Sequence, residues 1–299
     1  MLDEVFNHYC TANKDKTLNK SPNQVRKWEN PRTKAIRNFI LCTGNKAVHE
    51  LTREDAIQFR NWWIDRLENE NLVSGTARKD FVYLKTMIGS VAENANINLD
   101  VARIFKNMTI KKDDGKQRLP FETDFIRNTL LNRDNLKGLN QQAHWVLYAF
   151  ADTGAGLNEL TGLRTEDIIL DQNIPYIFIR PRKGHTLKTK FRERQIPLVG
   201  FALEAFKACP NGFTEYHDRP DSLSGLLGNY LSDHKLFPTD QHTVYSLRHS
   251  FQDRLTEVDA PDRVQAELMG HKFNREKYGK GPTLEKKKEW MEKIRLKQR

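Results

Sequence analysis

The chain has 299 residues, which is long enough for two domains, and 38% of them are hydrophobic, which is enough to build cores. The formal net charge of +10 suits a polyanionic partner such as nucleic acid, although a merely solvated basic surface explains the charge equally well. Three widely separated cysteines without a C-x-x-C pair argue against a disulfide framework and a zinc finger, and they fit a reducing cytoplasm. The sequence has no apolar run long enough to span a bilayer, so neither secretion nor membrane insertion is indicated.

Residues 1 to 110 are predicted to form helices separated by short polar turns. One helix begins at Ser74, and its apolar residues recur every three or four positions and mark a buried face: Ala77, Phe81, Leu84, Ile88 and Val91. Arg78, Lys79 and Lys85 fall on its other faces. Two interpretations stay open for them, contact with DNA and ordinary solvation.

The run KKDDGKQR, residues 111 to 118, is charged, contains glycine and lacks any apolar side chain. Such a composition is typical of an interdomain linker. The apolar pattern resumes at Leu119. The sequence therefore predicts two domains, residues 1–110 and 119–299.

The second domain is predicted to mix helices with a few short strands. An apolar run from Trp145 to Phe150 predicts a buried helix that leads into the stretch from Ala151 to Leu160. Three β-rich runs follow and predict a small antiparallel sheet: Asp167–Leu170, Tyr176–Arg180 and Arg194–Leu198. Between the second and third runs lie Lys188 and Lys190, and lysine is common in exposed hairpin loops.

The last part of the chain predicts two helices followed by an accessible tyrosine. An apolar stripe marks the first helix: Val244, Leu247, Phe251 and Leu255. The second helix is predicted to stop at Gly270, because glycine accepts the left-handed conformation after a helix end, so His271 comes directly after that stop. Tyr278 follows in a segment rich in glycine and lysine. Taken singly, each of these polar residues has an ordinary structural explanation.

Taken together, they resemble the phage-integrase family of tyrosine recombinases, whose signature is H-x-L-R-H, then L-G-H, then a nucleophilic tyrosine. The matching residues are Tyr245-Ser246-Leu247-Arg248-His249, Met269-Gly270-His271 and Tyr278. Upstream, the family pattern T-G-x-R-x-x-E-L is met at Thr153, Gly154, Glu159 and Leu160. Gly156 stands where the family has its first catalytic arginine.

The resemblance implies a fold that is mainly α with a small antiparallel sheet. A helical N-terminal core-binding domain would precede a mixed α/β catalytic domain. The core-binding domain clamps the duplex in the family, which favours DNA contact for Arg78, Lys79 and Lys85. A family hairpin carries a catalytic lysine just before a threonine, and this points to Lys188, with Lys190 and plain solvation as rivals.

The resemblance also implies roles that suit the chemistry of each side chain. A guanidinium meets two phosphate oxygens at once and keeps its proton at neutral pH, so Arg248 suits the phosphate. Tyr278 would be the nucleophile, Lys188 the general acid, and His271 a donor to the phosphate or an acceptor of the phenolic proton. A phosphotyrosine ester stores the bond energy for re-ligation, so no metal, ATP or other cofactor is expected.

Two positions depart from the family pattern. Tyr245 replaces the more usual histidine; a phenol can donate to a phosphate oxygen but is a poor base at neutral pH. Gly156 provides no cation, so we expect impaired activity with an intact DNA-binding surface.

By the same resemblance, the expected partner is duplex DNA with inverted-repeat sites. A homotetramer would assemble at the synapse, and whether the protein is a monomer in solution is left undecided. The protein would act at the nucleoid, in the cytoplasm of a bacterium or phage-infected host. Two alternatives remain: a degenerate recombinase that binds DNA without cutting it, and a type IB topoisomerase. A metal-dependent nuclease is disfavoured, because no cluster of Asp and Glu accompanies the histidines in the sequence.

Overall fold

The computed structural model describes residues 1–111, 118–276 and 279–297. The chain divides into two compact units, Met1–Gly115 and Lys116–Arg299. Most of the linker predicted at 111–118 falls outside the described residues, so its bounds stay a prediction. No helix in the described ranges is both long enough and apolar enough to cross a membrane.

In its described residues, the first unit contains helices joined by turns and loops, and no β-strand. Its helices are α1 (Val5–Ala12), α2 (Pro22–Thr43), α3 (Arg53–Asn69), α4 (Ser74–Asn94) and α5 (Val101–Ile104). The start of α3 follows from a capping box, in which the Thr52 hydroxyl accepts from Asp55 N–H and the Asp55 carboxylate accepts from Thr52 N–H. Aromatic and aliphatic side chains of α2, α3 and α4 fill the core: Phe39, Phe59, Trp63, Leu84 and Met87.

In its described residues, the second unit packs eight α-helices and one small sheet around a separate core. Its helices are α6 (Thr123–Phe125), α7 (Gln141–Thr153), α8 (Leu157–Leu160), α9 (Gly200–Ala208), α10 (Pro220–Asp233), α11 (Ser246–Glu257), α12 (Asp262–Met269) and α13 (Leu284–Ile294). A π-helical segment, Ile126–Leu130, continues α6. The predicted apolar stripe is confirmed for Leu247, Phe251 and Leu255, which are fully buried on α11. Val244 is also buried, but it precedes the helix, which begins at Ser246.

The sheet has three strands, β1 (Ile168–Ile169), β2 (Tyr176–Ile179) and β3 (Arg194–Pro197), in that spatial order. Both pairings are antiparallel, as predicted, and Ile177 lies between Ile168 on one side and Ile196 on the other. Each strand is shorter than the predicted run, because pairing ends where the connecting loops begin.

A buried ion pair ties the centre of this unit to its C-terminal segment. The Asp152 carboxylate accepts from Arg254 Nη1 at 3.0 Å, from Phe201 N–H at 2.9 Å and from Leu296 N–H at 3.2 Å. Arg254 Nη1 also donates to the carbonyl of Ile294 at 2.8 Å. The end of α13 is therefore held within its own unit by charge-assisted hydrogen bonds.

We expect Asp152→Ala to destabilise the second unit by about 3–5 kcal/mol, because it leaves the buried Arg254 charge without its carboxylate. Amide hydrogen exchange of peptides from α7 and α13 measures this free energy within that unit. Asp253→Ala removes an exposed carboxylate from α11 and is the matched control, with an expected change within about 0.5 kcal/mol. Equal protection in the two variants would contradict this assignment.

Candidate active site

Arg248 is buried at the base of the site, with 2% of its surface exposed. Its guanidinium donates to the carbonyls of Gly154 and Met269. Gly154 caps the C-terminal end of α7, and Met269 is the last residue of α12. Because the carbonyl end of a helix carries partial negative charge, two helix ends stabilise this cation, and no carboxylate of the described residues bonds to it directly.

His271 is positioned by the glycine before it. Gly270 has φ +65° and ends α12 in the left-handed conformation, and the His271 N–H donates to the carbonyl of Ala266 at 2.8 Å. A Cβ at Gly270 would lie 2.7 Å from Arg194 Nη1, so both the backbone and the packing require glycine. The predicted helix stop is confirmed.

Arg248 and His271 touch: Nη2 of the arginine is 3.2 Å from Nε2 of the histidine. Arginine can only donate, so Nε2 accepts and the neutral ring carries its proton on Nδ1. Burial lowers the pKa of His271 below its usual value, and the charges of Arg248, Arg192 and Arg194 lower it further. The site therefore holds a neutral imidazole at pH 7.

Glu159 is the acidic partner in this cluster. Its two oxygens accept from Arg194 Nη1 at 3.1 Å and Nη2 at 2.9 Å, and from Arg192 Nη1 at 3.0 Å. One of them also accepts from the Gly156 N–H at 2.8 Å. Burial alone would raise the pKa of Glu159, but these cationic partners outweigh it and lower the pKa to about 2. The carboxylate stays charged throughout the neutral range.

Gly156 lies at the N-cap of α8 with φ −72° and ψ 151°, a conformation that any residue adopts. A Cβ there would meet Glu159 Oε2 at 3.7 Å and Arg192 Nη1 at 3.8 Å, which are ordinary contact distances. The backbone therefore does not require glycine. The guanidinium of Arg192 lies where a longer side chain at position 156 would begin.

No side-chain hydrogen bond within the described ranges joins the other predicted site residues to Arg248 or His271. Tyr245 is 39% exposed, and its ring lies 5.4 Å from the Arg118 guanidinium. Lys190 and His271 line the same cavity of 360 Å³, whereas no contact within the described ranges joins the exposed Lys188 to Arg248 or His271. Lys188 thus stays a prediction with Lys190 as its rival. Tyr278 lies outside the described residues.

In the first unit, the three residues predicted to contact DNA lie along one groove. Arg78, Lys79 and Lys85 line a cavity of 560 Å³ beside α4, together with Val82, which is 61% exposed. The two lysines are exposed and Arg78 is partly so. This arrangement gives a basic surface with an apolar floor.

Sequence reasoning missed Arg192 and Arg194. The alternation in Arg192-Glu193-Arg194, which leads into β3, was a usable signal, because residues two apart share one face of an extended chain. Arg192 lies in the 3-10 turn Lys190–Arg192, and Arg194 is the first residue of β3. Their shared partner, Glu159, lies more than thirty positions away along the sequence.

No protein-family model matches the chain, and no curated protein sequence does. Solved structures do. A lambda integrase fragment bound to DNA has a TM-score of 0.61 and 13% identity, over 92% of this chain and 93% of that chain. A Tn1549 transposon integrase in complex with a circular intermediate DNA has a TM-score of 0.62 and 18% identity, over 90% of this chain and 92% of that chain. A lambda integrase tetramer bound to a Holliday junction has a TM-score of 0.58 and 16% identity, over 83% and 70% of the two chains.

These likenesses show the fold: the chain has the integrase fold, as its resemblance to tyrosine recombinases implied. The predicted fold class, mainly helical with a small antiparallel sheet, is confirmed. At this level of identity the likeness does not extend to activity, which rests on the site itself.

The lowered pKa of Glu159 makes a pH-dependent contribution to stability. A carboxylate whose pKa falls from 4.5 to about 2 on folding stabilises the folded state above pH 4.5, and this contribution is lost as the pH falls towards 2. The contribution amounts to about 3 kcal/mol. We therefore expect the difference in unfolding free energy between the unaltered protein and Glu159→Gln to shrink by about that amount between pH 5 and pH 2, measured by amide exchange. A difference that does not change with pH would contradict the assignment.

Proposed function

We propose that the chain is a site-specific tyrosine recombinase that cuts and rejoins duplex DNA through a 3′-phosphotyrosine intermediate. The observation that carries the proposal is the buried Arg248 held against the neutral His271 at 3.2 Å, within a cluster of further arginines. Preorganised cationic donors of this kind stabilise the charge that develops on phosphate oxygens during attack. The integrase fold is the second support.

In the proposed reaction, the hydroxyl oxygen of Tyr278 forms a bond to the scissile phosphorus, and the bond from phosphorus to the 5′ oxygen breaks. The phenolic proton passes to His271 or to water; to accept it, the neutral ring gives up the Arg248 hydrogen bond on Nε2 and takes the proton on that nitrogen. Lys188 protonates the departing 5′ oxygen, with Lys190 as the rival for that role. Attack by a 5′ hydroxyl on the phosphotyrosine reverses every step, so the ester bond supplies the energy for joining.

The proposed substrate is duplex DNA with inverted-repeat sites, and the proposed synaptic assembly is a homotetramer. In support, the similar structures are integrases bound to DNA, and one is a tetramer on a Holliday junction. We place the protein in the cytoplasm of a bacterium or phage-infected host, at the nucleoid. The groove lined by Arg78, Lys79 and Lys85 is the proposed DNA contact of the first unit.

We expect affinity for duplex DNA to fall on the order of 10³-fold between roughly 50 and 200 mM salt, because each neutralised phosphate releases a counterion. Binding of a fluorescent duplex at several salt concentrations measures the slope. The double variant Lys79→Ala, Lys85→Ala should reduce the slope by about two phosphate equivalents.

The matched control is Lys14→Ala, Lys16→Ala, which removes the same charge from exposed positions in the same unit. Its slope should stay close to that of the unaltered protein. Equal slopes for the two double variants would show that the groove does not contact DNA.

We expect Tyr278→Phe to keep DNA binding and to abolish any covalent adduct, because only the hydroxyl is lost. The substrate is a nicked duplex whose sequence is first selected from a random pool by binding to the protein. Denaturing gels detect the adduct, and peptide mapping locates it. An adduct on Tyr245 or Tyr216 would refute the assignment of the nucleophile.

The same assay separates the alternatives. DNA binding without any adduct would favour the degenerate, binding-only protein. Relaxation of supercoiled plasmids of unrelated sequence would favour a type IB topoisomerase. Loss of cleavage on addition of EDTA would favour a metal-dependent nuclease.

A further inference from the structure

The charges around Glu159 do not balance. The guanidinium groups of Arg192, Arg194 and Arg248 act on one another, while Glu159 is the carboxylate that acts on this group. His271 is neutral, so three positive guanidinium groups face one negative carboxylate. This cluster of three arginines, Glu159 and His271 therefore carries two excess positive charges. Such an excess costs folding free energy by mutual repulsion, and a bound anion would relieve it.

Arg194 and Arg192 differ in the donors that remain available to an anion. Arg194 is 5% exposed, and it donates to Glu159, to the carbonyl of Leu268 at 2.8 Å and to that of Arg192 at 2.7 Å. Arg192 has a side chain that is 19% exposed, and its Nη1 donates to Glu159. Among residues 1–111, 118–276 and 279–297, no acceptor engages its Nε or Nη2. Arg192 therefore combines a fixed position with free donors.

Arg192 also lies beside the segment that cradles Arg248. The Gly154 carbonyl accepts from Arg248, and two residues later a Cβ on Gly156 would lie 3.8 Å from Arg192 Nη1. Consecutive Cα atoms are about 3.8 Å apart, so Gly154 and Gly156 are separated by at most about 7 Å. Arg248 and Arg192 thus both border one short stretch of backbone, Gly154 to Gly156, and two guanidinium groups that bind the same phosphate have to lie near each other in this way.

We propose that Arg192 supplies the cation that position 156 lacks, so that Arg192 and Arg248 together hold the scissile phosphate of the DNA. The inference rests on the proposed recombinase function. It replaces the expectation of an enzyme impaired by Gly156, and it gives Glu159 the task of orienting Arg192 through the 3.0 Å hydrogen bond.

The first test compares Arg192→Gln with Arg180→Gln. The two arginines are matched, because each shares a buried carboxylate with a second arginine: Arg192 with Arg194 on Glu159, and Arg180 with Arg182 on Asp167. On the nicked duplex, Arg192→Gln should slow adduct formation by about 100-fold or more, and Arg180→Gln should stay within about twofold. Arg192→Lys should recover part of the rate, since the charge returns without the planar fork.

The second test restores a guanidinium from position 156 instead of position 192. Gly156→Arg added to Arg192→Gln should raise the rate at least about tenfold over Arg192→Gln alone, because the new side chain starts beside the lost group. Added to the unaltered protein, Gly156→Arg should change the rate little, because the cation is already present. A gain in the unaltered protein as large as the gain in Arg192→Gln would overturn the proposal.

A third measurement decides on Arg192 without DNA cleavage. Inorganic phosphate is titrated into the full chain and followed by the NMR resonances of His271. Arg192→Gln should weaken phosphate binding roughly 10- to 100-fold, and Arg180→Gln should not. Unchanged phosphate affinity would overturn the assignment of Arg192, even if the unaltered protein cleaves DNA. Lost phosphate affinity in a chain that never forms an adduct would uphold Arg192 and refute the recombinase function.

Discussion

The candidate site depends on the buried ion pair between Glu159 and Arg194. The carboxylate lies on α8, the guanidinium begins β3, and Arg194 Nε also donates to the carbonyl of Leu268 in the last turn of α12. One side chain thus fixes the positions of α8, β3 and the helix end that presents His271. Moving two charges out of water costs several kcal/mol for each ion, so the pair contributes less to net stability than to the relative placement of these elements.

The same ion pair explains why the site keeps a net positive charge. A guanidinium paired one-to-one with a carboxylate is neutralised, whereas carbonyl oxygens at a helix end hold a cation and leave its net charge in place. Arg248 is held by the carbonyls of Gly154 and Met269, and Arg194 occupies the best geometry on Glu159. Arg192 donates a single hydrogen bond to the same carboxylate. The excess positive charge is therefore a consequence of how the acceptors are distributed.

The sequence predicted the parts of this arrangement that depend on local chemistry. The apolar spacing of α11, the left-handed Gly270 and the three strand runs are set by residues within a few positions of one another, and all three predictions are confirmed. The ion pairs of Glu159 with Arg192 and Arg194 join residues far apart in sequence, and periodicity carries no signal for such pairs. For the same reason the sequence did not reveal that Arg192 lies beside Gly156.

The distribution of cations between surface and interior favours a catalytic protein over one that only binds DNA. Binding without sequence preference requires exposed charges such as Lys79 and Lys85, which attract phosphates at long range and cost little in folding. A buried guanidinium such as Arg248 adds little to that attraction, and burial lowers its pKa because the charged form is removed from water. Such a cost is offset where a fixed cation meets charge that develops during a reaction, since no solvent must then reorganise. The imidazole in contact with Arg248 is neutral at pH 7, which is the state that a proton acceptor needs and that DNA binding alone does not require.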